Sequence, residues 1–229
     1  MSVPRAGGAV GPRGPGQPGG PRLRLVPGAL EVAATAAGCP DWDTLATASR
    51  ACVACRELAA TRTTVVVGDA PPARTARLAL VGEAPGADED RTGRPFVGRA
   101  GQLLDEVLAE AGLVRAEIAV LNVLQCRPPG NRAPKPAEAT RCRGWLSRKL
   151  DLLGPELVCT LGRTAAAEFL GRGVSLASVR GRVHDVAGRR VVPTFHPSAA
   201  IRWGPAGAPL AGLRADLAYV AALLAGERP

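Results

Sequence analysis

Leu78-Ala79-Leu80-Val81-Gly82-Glu83-Ala84-Pro85-Gly86 is an uninterrupted apolar run that ends abruptly in two glycines and a proline around one carboxylate. Four consecutive apolar residues bounded by turn formers read as a strand buried on both faces. Similar short runs recur at Ile118 to Val123, Leu157 to Leu161 and Val191 to Phe195. Helical patterns lie between and around them. Asp43 to Cys55 reads as a short helix, and Leu103, Leu104, Val107, Leu108 and Ala111 keep helical spacing up to a stop at Gly112. Pro136 to Leu153 and Thr164 to Leu170 also read as helices, and Leu213, Leu217, Val220 and Leu224 form the stripe of a closing amphipathic helix. Strands alternating with helices predict an α/β fold, a three-layer α/β/α sandwich around a central four-stranded, mainly parallel sheet. Such sheets bind ligands beyond the carboxyl ends of their strands. Gly82 to Gly86, Asn122, Gly162 and His196 each close or follow one of the four runs, so they are expected at one edge.

The chain has 229 residues, enough for one ordinary domain. Residues 1–28 are dominated by Gly, Pro and Arg without apolar periodicity and read as a disordered tail, leaving 29–229 as the folded domain. Aromatic residues make up only 3% of the chain, so each one is informative, and a net charge of +9 points towards a polyanion. No stretch approaches the roughly 20 apolar residues of a membrane span and no signal-peptide core is present, so a cytoplasmic protein without membrane association is expected. Nothing in the sequence calls for a second subunit, and a monomer is expected.

Several residues carry chemistry. In Gly82 to Gly86, glycine allows close approach of backbone to a ligand, and the N–H groups can bind an oxygen; a tight turn leading into the acidic helix start Asp88-Glu89-Asp90 is the alternative. The missing Lys-Ser/Thr excludes a phosphate-binding P-loop. Gly93-Arg94-Pro95-Phe96-Val97-Gly98 places Phe96 in a loop, either to stack on a flat base or to anchor the loop on the core. Asn122, inside an apolar run, needs a partner: the edge of a pyrimidine or neighbouring backbone. His196, before Pro197, either stabilises an oxygen that gains charge or makes a structural hydrogen bond. His184 reads as a solvated strand residue. Cys52 and Cys55 form a C-x-x-C pair, and Cys126 and Cys142 stand singly across a proline-stiffened loop. One short pair plus two distant cysteines suits an iron-sulfur cluster; zinc, which usually takes two short pairs, is less expected. Cys159, mid-strand, reads as a small buried apolar residue.

From about Cys52 to the final helix, this combination resembles the iron-sulfur (family-4) uracil-DNA glycosylases. The resemblance rests on Gly82-Glu83-Ala84-Pro85-Gly86 with Glu89-Asp90, Gly93 to Gly101, Asn122 with Cys126-Arg127-Pro128-Pro129, and His196-Pro197-Ser198. It implies a repair enzyme that hydrolyses the N-glycosidic bond of uracil in DNA, with a structural 4Fe-4S cluster on Cys52, Cys55, Cys126 and Cys142. It implies further that Phe96 stacks on a flipped uracil, that Asn122 reads its edge, that His196 faces O2 and that Glu89 stands near C5. The Ser198 to Arg202 segment is expected to follow the DNA backbone, with Ile201 entering the vacated stack and Arg202 beside phosphate.

Chemically, the site must stabilise a cationic sugar and an anionic leaving base. His196 and the backbone N–H groups of the Gly82 to Gly86 loop suit the anion; Glu83 suits the sugar or the attacking water, with Glu89 as rival. Other branches of the superfamily carry an aspartate where this chain has Ala84. Arg-rich residues around 127 to 132 are expected to grip phosphates. No histidine lies between Cys126 and Cys142, which disfavours the covalent capture of uracil-DNA seen in one relative. A non-catalytic nucleic-acid-binding module with a structural metal is the alternative, and it leaves Glu83, Asn122, Phe96 and His196 at one sheet end unexplained.

Overall fold

The computed structural model describes residues 26–227, so most of the tail expected over 1–28 lies outside the described residues. Five strands, β1 (Leu78–Gly82), β2 (Ala119–Asn122), β3 (Leu157–Leu161), β4 (His184–Val186) and β5 (Arg189–Thr194), form one sheet in the order β2-β1-β3-β5-β4. The four expected strands are there and run parallel. The fifth, β4, is an antiparallel edge strand paired with β5 through Ala187 and Gly188, both at positive φ. Two residues of positive φ fit the tight hairpin turn that follows strand twist. His184, read from sequence as a solvated strand residue, opens β4, whose three half-exposed residues carry none of the apolar run that marks the other four strands.

Helices α1 (Ala29–Ala37), α2 (Trp42–Arg50) and α3 (Arg56–Thr61) precede the sheet. After β1 come α4 (Ala87–Thr92) and α5 (Arg99–Glu110); α6 (Pro136–Leu153) follows β2 and α7 (Arg163–Leu170) follows β3. Helix α8 (Leu176–Val179) precedes β4, and α9 (Pro197–Trp203) and α10 (Ala208–Ala225) close the chain. Local chemistry sets these limits. Helix α6 starts with Pro136 in its first turn while Glu138 accepts from the Lys135 N–H at 2.7 Å, and it stops at Gly154 with φ 58°.

Alternate strand residues face opposite layers. Ala79, Val81, Leu121 and Val158 pack with Leu146, Leu150 and Leu153 of α6. Leu80, Val120, Cys159 and Val192 pack with Leu104 and Leu108 of α5 and Leu213 and Leu217 of α10. Both faces are therefore covered, which accounts for the unbroken apolar runs, and Cys159 is a core residue as expected. Helix α10 corrects one expectation: over 18 residues its mean hydropathy of 1.4 reaches that of a membrane span. In the fold its inner face is buried, and the buried Asp216 accepts from Thr194 Oγ1 (2.6 Å) and pairs with Arg180 (2.7 Å), tying α10 to β5.

Strand β1 is the switch point of the sheet, since the chain leaves it for β2 on one side and later enters β3 on the other. The carboxyl ends of β1, β2, β3 and β5 thus deliver Gly82, Asn122, Gly162 and His196 to one edge, where open α/β sheets bind ligands.

Candidate active site

A pocket of about 240 Å³ opens at this edge, lined among others by Glu83, Glu89, Phe96, Asn122, His196 and Ser198. It is smaller than the ~300–1,000 Å³ typical of larger ligand sites, a size suited to a single base. A wider groove at the amino ends of the strands, lined by Arg77, Glu117 and Glu156, gathers none of the motif residues.

Backbone pairing places Glu83 and Asn122. The β1–β2 ladder continues past both strands, with Val123 N–H donating to Gly82 O (2.9 Å) and Leu124 N–H to Glu83 O (3.0 Å). Asn122 is 7% exposed, and its Oδ1 is buried without a hydrogen-bond partner among the described residues. An unpaired buried carbonyl of this kind costs ~1–3 kcal/mol. Gly82 is required beside it: a Cβ there would stand 2.4 Å from Asn122 Oδ1 and 2.5 Å from Phe96 Cζ.

Phe96 is buried on the same floor and sits at φ 52°, a left-handed conformation unusual for an aromatic residue. Its carbonyl lies against Gly101 in the first turn of α5, where a Cβ would come within 1.8 Å of the Phe96 oxygen. The sequence Phe96-Val97-Gly98-Arg99-Ala100-Gly101 is thus a device that folds the loop back onto a helix and presents the ring to the pocket.

His196 faces Phe96, with ring centroids 5.7 Å apart. It caps α9: Ser198 N–H donates to its Nδ1 (3.1 Å), and Ser198 Oγ lies 2.8 Å from the same nitrogen. A nitrogen that accepts from the backbone carries no proton, so the neutral ring bears its proton on Nε2. Burial lowers the His196 pKa to about 4, against a smaller raising effect of Glu89, so the ring is neutral at physiological pH. Gly162, at φ 89°, lets β3 approach, since a Cβ there would meet His196 Cβ at 2.9 Å.

The acidic run divides into two loop clamps. Glu89 Oε1 accepts from Val97 N–H (2.9 Å) and Gly98 N–H (3.0 Å), and its Oε2 accepts from Gly86 N–H (3.0 Å). Glu89 therefore joins the two glycine loops while also lining the pocket, with both carboxylate oxygens occupied by backbone N–H groups. The same bond takes Gly86 N–H out of the set expected to receive the leaving base. Buried Asp90 accepts from Thr63 and Thr64 N–H and fastens the segment after α3. In the segment expected to grip phosphate, two arginines have partners within the chain. Arg132 pairs with Glu138 (2.7 Å) and Glu57 (3.2 Å), and Arg127 Nε donates to Asn131 Oδ1 (2.7 Å).

The expected DNA-following segment is helix α9. Ser198 stands at the pocket, Ile201 is half-buried and Arg202 is exposed. Beside them Trp203, 71% exposed, was not singled out from sequence, although a 3% aromatic content is the signal that marks it.

Cys52, Cys55, Cys126 and Cys142 line one mostly apolar cavity between α2, α3, the end of β2 and α6. All four are free. Arg62 donates to Cys126 Sγ (3.2 Å) and to the Cys52 carbonyl (2.7 Å), so a cation already braces two of the cysteine segments. Among the described residues no three His, Cys, Asp or Glu side chains converge closely enough to hold a single ion. The four sulfurs line the cavity walls, and soft thiol donors of this number fit an iron-sulfur group.

Comparison with known proteins adds independent findings. The profile of the uracil DNA glycosylase superfamily matches residues 68–218. A type-4 uracil-DNA glycosylase of Thermotoga maritima is 46% identical over 153 residues, covering 66% of this chain and 78% of that protein. One from Archaeoglobus fulgidus is 42% identical over 134 residues, 55% of this chain and 67% of that protein. One from Sulfurisphaera tokodaii is 40% identical over 149 residues, 61% of this chain and 67% of that protein.

Proposed function

Because the chain belongs to the uracil-DNA glycosylase superfamily, in its type-4 branch, we propose that it excises uracil from DNA by hydrolysing the N-glycosidic bond and leaves an abasic site. The observation that carries this reading is Asn122. Asn122 lines a base-sized pocket together with Phe96 and His196, and its Oδ1, without a partner among the described residues, is the acceptor that uracil N3–H would satisfy.

In this reading uracil leaves the stack and lies against Phe96, at a cost of a few kcal/mol for flipping. As the glycosidic bond breaks, negative charge gathers on the base and positive charge on the sugar. Neutral His196 donates its Nε2–H to the uracil O2, and Ser198 holds the ring in that tautomer. Glu83 faces the sugar side, where its carboxylate stabilises the cation and orients the attacking water. Glu89 keeps the Phe96 loop closed over the base. Ser198, Ile201 and Arg202 carry the DNA contacts along α9. We propose that Cys52, Cys55, Cys126 and Cys142 hold a 4Fe-4S cluster. Bound there, the cluster supplies a structural cross-link between three chain segments.

A uracil-containing oligonucleotide, incubated with the protein and then treated with alkali, should break at the uracil, while its thymine control stays whole. Glu83→Gln and His196→Ala should each lower the single-turnover rate by about 10²–10³-fold. Uracil-independent cleavage, or a folded His196→Ala variant as fast as the wild type, would overturn these roles.

The low pKa of His196 also gives a pH test. Its ordinary value of 6.5 applies to the unfolded chain, which takes up a proton between pH 6.5 and about 4 while the folded protein does not. The stability contributed by neutral His196 is therefore complete above pH 6.5 and falls as the pH drops towards 4. In the rate, no His196 limb should appear between pH 5 and 8. An inflection near pH 6.5 that disappears in His196→Asn would show that the ring titrates in the working range.

A further inference from the structure

Lys149, in the middle of α6, is the largest fully buried side chain among the described residues, at 1% exposure. A buried ammonium costs several kcal/mol unless it is paired and hydrogen-bonded. Its acceptors here are neutral: the Val67 carbonyl and Gln125 Oε1, both in close contact with Nζ. It takes part in none of the ion pairs among the described residues. The position is therefore costly for a residue that only fills space, and a neutral side chain of similar length would pack there without desolvating a charge.

The surroundings show where the missing negative charge lies. Lys149 follows Cys142 by seven residues, two helical turns, so both project from the same face of α6. Gln125 links them: its Oε1 accepts from Lys149 Nζ, and its Nε2 is 3.9 Å from Cys142 Sγ. Burial pushes the Lys149 amine down to about 7; negative charge on Cys142 and Cys126 works against that shift and favours the ammonium, while Arg50 adds to it. A cluster held by four thiolates carries net negative charge in a site sheltered from water, where an uncompensated charge is costly.

We propose that Lys149, oriented by Gln125, is a fully buried counter-charge of the cysteine-held cluster, acting from the α6 side while Arg62 acts at Cys126, and that it tunes both the cluster's retention and its reduction potential. The inference rests on the cluster reading above. Reduction adds one more negative charge to the cluster, so a nearby cation favours the reduced form, and removing that cation lowers the potential.

The test compares the anaerobically purified full chain with Lys149→Gln, Lys149→Met and the exchange variant Gln125→Lys/Lys149→Gln, which returns the charge from the other side of the pair. Iron and sulfide content, the rate of bleaching by a chelator and the potential from a redox titration are read for each. The neutral variants should lose iron about 10–100-fold faster than the wild type, and their potential should move to more negative values. The exchange variant should recover both properties. A Lys149→Gln protein that matches the wild type in retention and potential overturns the proposal, as does an exchange variant as impaired as the single one. If the neutral variants do not fold, the exchange variant decides: wild-type behaviour supports the counter-charge, and a shifted potential overturns it. A wild-type protein without iron defeats the cluster reading and this inference together. Iron-loaded wild type beside an unaffected Lys149→Gln defeats this inference alone.

Discussion

Asn122→Leu should give a protein that is more stable than the wild type and almost inactive. The substitution keeps the shape of the side chain and removes Oδ1, a buried acceptor without a partner among the described residues. Replacing an unsatisfied polar group by an apolar one of similar size recovers about 1 kcal/mol. In a domain of this size that raises the thermal midpoint by about 2–4 °C. The same atom is the proposed acceptor for uracil N3–H, and the leucine would leave that donor buried and unpaired. Sites built to hydrogen-bond a ligand edge discriminate by large factors, and a fall in kcat/KM of about 10³-fold or more is expected. Thermal unfolding and single-turnover excision, measured on one preparation, check both halves. A variant less stable than the wild type, or one that keeps a tenth of its activity, would return Asn122 to an ordinary core role. An opposite movement of stability and activity marks a polar group kept for its ligand.

Gly101→Ala should abolish activity from a residue outside the pocket lining. Its new Cβ would lie 1.8 Å from the Phe96 oxygen and 2.2 Å from its carbonyl carbon, so backbone must move. Phe96 holds a left-handed conformation that this packing, with the Glu89 clamp, keeps in place, and a displacement of about 1 Å in a positioning residue costs about 10²-fold in rate. Gly112→Ala is the control. Gly112 has a positive φ of 70° with open space around it, so alanine there costs about 1 kcal/mol of backbone strain and should leave excision within twofold of the wild type. Excision rates of the two variants, with circular dichroism to confirm folding, separate a disturbed Phe96 from general loss of stability. Equal activity in both would mean that the loop relaxes without moving the ring.

The ease of reading differs sharply between parts of this chain. Strands β1, β2, β3 and β5 were legible because both faces of a parallel sheet are covered, which leaves continuous apolar runs with glycine or proline at their ends. Helix α6 was legible down to its limits because Pro136 and Gly154 punctuate it. Strand β4 was legible only through His184, read as a solvated strand residue, since three half-exposed residues at an edge carry no apolar run. That Glu83, Phe96, Asn122 and His196 gather at one pocket was legible from their placement at strand ends and glycine loops. Glu89 and Arg132 were legible as charges near the site but not in their partners. Glu89 receives N–H groups from the Phe96 loop, and Arg132 reaches Glu57 and Glu138 on two different helices.

By itself, the sequence determined the order of buried strands, the edge at which the polar motifs gather and the cysteine set that faces one cavity, because burial and turn formation act over a few neighbouring residues. Only the tertiary structure decided which polar groups remain free for chemistry. Among the described residues Asn122 Oδ1 has no partner and Lys149 is buried outside every ion pair, while Glu89 clamps two loops and His196 is held neutral with its proton on Nε2. The physical reason is that hydrogen-bond partners and desolvation are settled by segments far apart in the chain, and their distances exist only once the sheet has brought them together.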